Sequence, residues 1–155
     1  MPPVVLETQH ALTDFVGREI ALTEWLTITQ DRIDRFAEAT QDRQWIHVDR
    51  ERAQRESPYG TTIAHGFLTL SLLSFFMKQV IQFRGGVRMG INYGLNRVRF
   101  PSPVRADSQI RARVGLQSLK ELPDALEAVF SVSLEVQRSE KPCCVAEWIA
   151  RYYPE

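Results

Sequence analysis

The chain is poor in cysteine and lysine, and it has no long apolar run. Its two cysteines, Cys143 and Cys144, are neighbours in a sequence of 155 residues. Adjacent cysteines bridge only under strain, which excludes a disulfide framework, and two cannot build a cysteine-rich zinc module. That usage fits a reducing, cytoplasmic setting. The most apolar stretch, residues 67–77, is interrupted by Thr69, Ser71 and Ser74 and falls well short of the ~20 residues that span a bilayer. The opening Met1-Pro-Pro-Val-Val-Leu-Glu lacks the basic flank and apolar centre of a signal peptide. Neither sign of charge prevails: 19 basic and 19 acidic side chains cancel, so no global field draws in nucleic acid or an anionic membrane. Also missing are a Gly-x-Ser-x-Gly elbow, a phosphate-binding glycine loop and a Gly-x-Gly-x-x-Gly turn. A metal centre from His47, Asp49 and His65 has no recognised ligand spacing behind it, so no metal is expected.

What is present is an ordinary globular composition, 44% hydrophobic and 25% charged, at a length that suits one domain over residues 1–155. The first half reads helical. Thr29 caps a predicted helix over 30–39, with Ile33, Phe36, Ala37 and Thr40 on one face. A short strand over 22–28 precedes it, and a solvated helix over 49–56 follows. Residues 64–82 read as a helix apolar around its whole circumference, hence one enclosed by protein. The second half alternates with period two around Ile91, Ile110, Phe130 and Cys144, and a phase flip beside Gly94 predicts a β-bulge. Helices first and strands after argue for an α+β fold, with an antiparallel sheet of about five strands curled around the long helix.

Chemistry is confined to few residues. Asp42 and His47 follow the end of the first helix, on what reads as irregular backbone, with Trp45 and Ile46 expected to be buried between them. A carboxylate and an imidazole in a partly apolar setting can hold one water for acid–base work. The same residues also fit an Asp capping a turn and a His packed on Trp45. His65-Gly66 opens the apolar helix, where free N–H groups favour an anion or a developing oxyanion; a packed histidine fits equally. Ser74 reads as a hydroxyl bonded to its own helix backbone. Between Arg84 and Arg113 lie seven arginines and one acid, Asp107. These are either solvated strand faces or a site for a polyphosphate tail.

Three segments resemble the MaoC-like dehydratases, or (R)-specific enoyl-CoA hydratases, and their NodN-like single-domain group. They are Asp42-Arg-Gln-Trp-Ile-His47-Val-Asp49, Gly60-Thr-Thr-Ile-Ala-His65-Gly66-Phe-Leu-Thr-Leu, and Gly90-Ile-Asn92-Tyr93-Gly-Leu-Asn96-Arg-Val-Arg-Phe-Pro101-Ser-Pro103-Val. With Lys141-Pro-Cys-Cys-Val-Ala-Glu147, the likeness covers about residues 20–153. It implies a hotdog fold, a homodimer, and cofactor-free hydration of trans-2-enoyl-CoA to (R)-3-hydroxyacyl-CoA. It also implies roles: Asp42 and His47 hold the catalytic water, the Gly66 amide stabilises the thioester oxyanion, and His65 and Ser74 line the substrate site. Gln44-Trp45 stands where many members have Asn-Pro, a departure that bears on acyl-chain preference. Two other readings go with a hotdog protein: an acyl-CoA thioesterase, and a non-catalytic subunit that binds acyl thioesters.

Overall fold

The computed structural model describes residues 2–155. Strands β1 (Val4–Leu6), β2 (Arg18–Leu22) and β3 (Leu26–Ile28) lead into helices α1 (Gln30–Thr40), α2 (Trp45–Val48) and α3 (Arg50–Glu56). Helices α4 (Gly66–Ser71) and α5 (Leu73–Val80) follow, then strands β4 (Ile81–Phe83), β5 (Met89–Arg99), β6 (Ser108–Glu121), β7 (Leu126–Val136) and β8 (Cys144–Tyr153). A seven-residue 3-10 segment, Gln9–Phe15, joins β1 to β2.

The main sheet is antiparallel and six-stranded, in the order β2-β6-β7-β8-β5, with β3 pairing along the same strand, β6. Alternation in the sequence translates directly into burial. Ile110, Ala112, Val114 and Leu116 of β6, Phe130 and Leu134 of β7, and Ala146, Trp148 and Ala150 of β8 face inward. Against them pack Leu68, Leu72, Phe76 and Val80 of α4 and α5. Each large apolar side chain so enclosed contributes about 1.5–3 kcal/mol. Thr29 caps α1 as expected, its hydroxyl accepting from the Arg32 amide, and Asp49 does the same for α3.

Several expectations need correction. The predicted strand over 22–28 is two strands, because Thr23 turns aside: its hydroxyl accepts the Ala112 amide and donates to the Glu24 carbonyl. The predicted helix over 64–82 starts at Gly66, is interrupted at Leu72, and ends at Val80, after which β4 pairs in parallel with β1. Nor is it enclosed on all sides: Phe67 is 69% exposed and Phe75 44%, since the sheet covers only one side of it. The bulge beside Gly94 is present, with register shifts between Asn92 and Gly94 and again between Leu95 and Arg97. It turns the apolar set from one face to the other. Ile91 lies opposite Arg151 on the outer face, whereas Leu95 lies opposite the buried Trp148. No helix among the described residues is long and apolar enough to cross a membrane.

Candidate active site

Helix α1 ends in a left-handed residue, Gln41 (φ 62°), which throws the chain out so that Asp42 stands on irregular backbone. Its side chain is 55% exposed, and one carboxylate oxygen accepts from the Gln44 amide at 3.4 Å. His47, expected on irregular backbone too, lies within the short helix α2 and is buried. Trp45 and Ile46 are only half-buried, because the Arg52 guanidinium rather than the core covers the indole, 4.4 Å from the ring centre.

His47 is held at both ends. Its Nδ1 lies 2.7 Å from the Ile63 carbonyl oxygen. A carbonyl only accepts, so Nδ1 carries the hydrogen, and in the neutral ring Nε2 keeps its lone pair. Its own carbonyl accepts from Gln30 Nε2 at 2.7 Å, and Gln30 Oε1 in turn accepts from the Thr62 hydroxyl. Burial pushes the His47 imidazole below its ordinary value. The Ile63 carbonyl opposes that shift, His65 adds to it and Asp42 opposes it. Neither Gln30 nor Thr62 stood out in the sequence. Their signal was slight, a glutamine where α1 begins and a threonine inside a loop.

His65 is 3% exposed and sits behind His47, the two rings stacked with centres 3.8 Å apart. Its Nε2 is 2.9 Å from the Asp42 carbonyl oxygen and 3.9 Å from Asp42 Oδ2, while its buried Nδ1 has no hydrogen-bond partner among the described residues. Each of Asp42, His47 and His65 offers one ligand atom, and these atoms lie within 4.8 Å of one another. Two acceptors that close can share one water at ordinary hydrogen-bond lengths of about 2.8 Å. The stacked imidazoles suit a metal poorly, since one ion cannot lie in both ring planes at bonding distance.

Beside His47 opens a pocket of about 260 Å³ bordered by Tyr59, Ala64, Gly66, Phe100, Val104 and Cys143. His65 is not on its wall. Gly66 lets the Phe100 ring approach closely: a Cβ there would meet the ring at 3.0–3.2 Å and oblige it to shift. Burial, aided by its neighbour Cys144, pushes the Cys143 thiol up to about 12, and burial alone lifts Cys144 to about 11, so both remain protonated and unreactive. Ser74 lies elsewhere, in an apolar recess between α5 and β5 with Asn92, Leu95 and Trp148. Its hydroxyl pairs with the Asn92 side chain at 3.3–3.4 Å, not with its own helix backbone.

A larger concavity, about 550 Å³, lies on the outer face of the sheet over Gly115, Ser131 and Ser133. It contains none of Asp42, His47, His65, Gly66 and Ser74, and small side chains between flanking arginines are enough to produce it. The arginine-rich stretch does not form one patch. Arg84 pairs with Glu7, while Arg111 and Arg113 share Glu135 on that outer face.

The model of the MaoC like domain matches residues 12–135. Among curated proteins, the 3-hydroxyacyl-thioester dehydratase Z of Mycobacterium tuberculosis (strain ATCC 25618 / H37Rv) is 49% identical over 147 residues, covering 94% of this chain and 96% of its own. Nodulation protein N of Rhizobium leguminosarum bv. viciae is 45% identical over 135 residues, covering 86% of this chain and 84% of its own. Among solved structures, the (R)-hydratase from A. caviae involved in PHA biosynthesis superposes with a TM-score of 0.70 at 23% identity, over 87% of this chain and 94% of that one. The monoamine oxidase regulatory protein from Archaeoglobus fulgius gives 0.76 at 20% identity, over 100% and 99%. The structural likenesses make the fold a hotdog, as the sequence resemblance implied. A family match over most of the chain, joined to a relative 49% identical along nearly its whole length, places the protein in the MaoC-like dehydratase family.

Proposed function

We propose that the protein adds water reversibly to trans-2-enoyl-CoA, giving (R)-3-hydroxyacyl-CoA without a cofactor. The observation that carries this reading is the Asp42 carboxylate and a His47 ring nitrogen within 4.8 Å of each other, with the Nδ1 hydrogen taken by Ile63 so that Nε2 is the nitrogen left to accept from a water. His47 Nε2 takes one proton from that water while Asp42 accepts its other hydrogen and aims the oxygen at C3. Electrons pass to the thioester oxygen, where the Gly66 amide at the start of α4 meets the developing charge. The proton on Nε2 then moves to C2, so one water is added and both groups are restored. His65 acts behind this pair, and Ser74 belongs to the acyl-binding surface. The name of the 49%-identical dehydratase supports the same chemistry.

Crotonyl-CoA tests the reading. Loss of enoyl absorbance without free thiol is the expected result. Release of free thiol would make the protein a thioesterase, and no reaction would leave a binding subunit or a different acyl chain.

A pH dependence follows from His47. Since burial favours its neutral form, the acid limb of kcat/KM, which reports free-enzyme groups, should be centred below the ordinary imidazole value of 6.5. Stability should move the same way. Below 6.5 the unfolded chain binds a proton that the folded one resists, so the contribution is complete above 6.5 and fades as pH falls towards the depressed folded value. A limb centred above 6.5 would contradict a neutral His47.

The working form is a homodimer. Among the described residues, strand β5 ends the sheet with its outer edge unpaired, and Met89, Ile91, Tyr93 and Leu95 on it are 41–55% exposed. Soluble proteins seldom leave such an edge open. A second copy pairing β5 with β5 about a two-fold axis would cover it together with Phe67 and Phe75.

A further inference from the structure

We propose that Gln30 is a positioning residue that fixes His47 for proton transfer, an assignment that rests on the hydration reading above. Gln30 is the first residue of α1 and is buried. Its Nε2 donates to Asp34 Oδ1 at 2.8 Å and to the His47 carbonyl at 2.7 Å. Both partners only accept, so the atom facing them must be the nitrogen. Its Oε1 therefore faces Thr62, whose hydroxyl, fully buried, donates to it.

Thr62 leads into Ile63, and Ile63 returns to the site twice: its amide donates to the Ile46 carbonyl at 3.0 Å and its carbonyl takes the His47 Nδ1 hydrogen. Gln30, Thr62, Ile63 and His47 thus close a ring that holds both the backbone and the imidazole of His47. Gln30 does not border the pocket, so it acts through His47 and not on substrate. Nor does α1 need it for its own sake, because Thr29 already caps the helix. A buried amide is costly unless fully bonded; an apolar side chain would serve this position equally well if His47 needed no anchor. Removing the amide leaves the His47 carbonyl and the Thr62 hydroxyl without partners and lets residues 46–47 slide against 62–63. A misplacement near 1 Å costs on the order of 100-fold in rate.

The test uses Gln30→Leu and the near-isosteric Thr62→Val, each checked for a cooperative melt above the assay temperature. With crotonyl-CoA, kcat should fall about 10- to 100-fold while KM stays within about threefold, since ground-state binding is untouched. In nitrogen-15 spectra the wild-type His47 ring should show one tautomer, protonated at Nδ1, and both variants a mixture. Near-normal kcat with the single tautomer retained would overturn the proposal and leave Gln30 a packing residue. Should Gln30→Leu fail to fold, Thr62→Val decides by the same criteria. If the wild type hydrates no enoyl thioester, the hydration reading fails. The spectra then decide alone: a mixture in the variants supports anchoring by Gln30, and an unchanged tautomer overturns it.

Discussion

Asp42→Asn and His47→Gln should each lower kcat by about 100-fold or more, the usual scale for acid–base groups, and the double variant should be scarcely worse than either. One water held by two groups is a single arrangement, so losing either partner loses it, and groups acting as a unit are far from additive. Asparagine keeps the size of Asp42 but presents an amide where the water needs a carboxylate. Glutamine at 47 removes the ring whose Nδ1–H is anchored on Ile63 and with it the Nε2 that the hydration reading makes the acceptor of the water's proton. The stability cost should be small. The Asp42 side chain is half-exposed, where substitutions usually stay within about 0.5 kcal/mol, and the lost His47–Ile63 bond is worth about 1 kcal/mol. Rate losses that multiply in the double variant would show two independent contributions, and near-normal turnover with a lowered melting temperature would reduce both residues to packing.

Leu95→Glu should convert the proposed dimer to a monomer of 17.8 kDa and reduce activity more than tenfold, about 1.4 kcal/mol in transition-state terms. Leu95 is 42% exposed and shares a recess with Phe67 and Ser74. About a two-fold axis the change enters the interface twice, setting two carboxylates against apolar surface. The catalytic loss follows from continuity of the chain. Beyond the end of β5, Phe100 lies against Gly66 and borders the pocket, so an edge strand freed of its partner loosens the wall beside the water. Light scattering and the crotonyl-CoA rate measure the two effects separately. A wild-type chain monomeric at micromolar concentration, or a fully active monomeric variant, would remove the dimer from the account.

Period-two alternation made β6, β7 and β8 legible because each strand has one face on the core, and the bulge at Gly94 announced itself by a change of phase. Strand β1 was not legible: three residues paired in parallel with another short strand carry no periodicity of their own. The open flank of the long helix was misread for a different reason. Phe67 and Phe75 are as apolar as core residues, and sequence cannot separate a surface covered by its own chain from one that the chain leaves open. In the candidate site, Asp42, His47 and Gly66 stand in the segments that carry the family resemblance, which is what made them legible. The stacking of His65 behind His47 and the anchoring by Gln30 and Thr62 join residues far apart in the chain, which no local pattern encodes.

Cys143 and Cys144 are 2% and 1% exposed with thiols held protonated, so the folded protein should react slowly with disulfide dyes, even though Cys143 borders the pocket beside His47. In an assay with crotonyl-CoA, colour that grows in step with turnover would then report liberated coenzyme. Run without substrate in mild denaturant, the same dye becomes a clock for the detachment of β8 from the sheet. One reagent thus separates hydrolysis from hydration and measures how often the molecule opens.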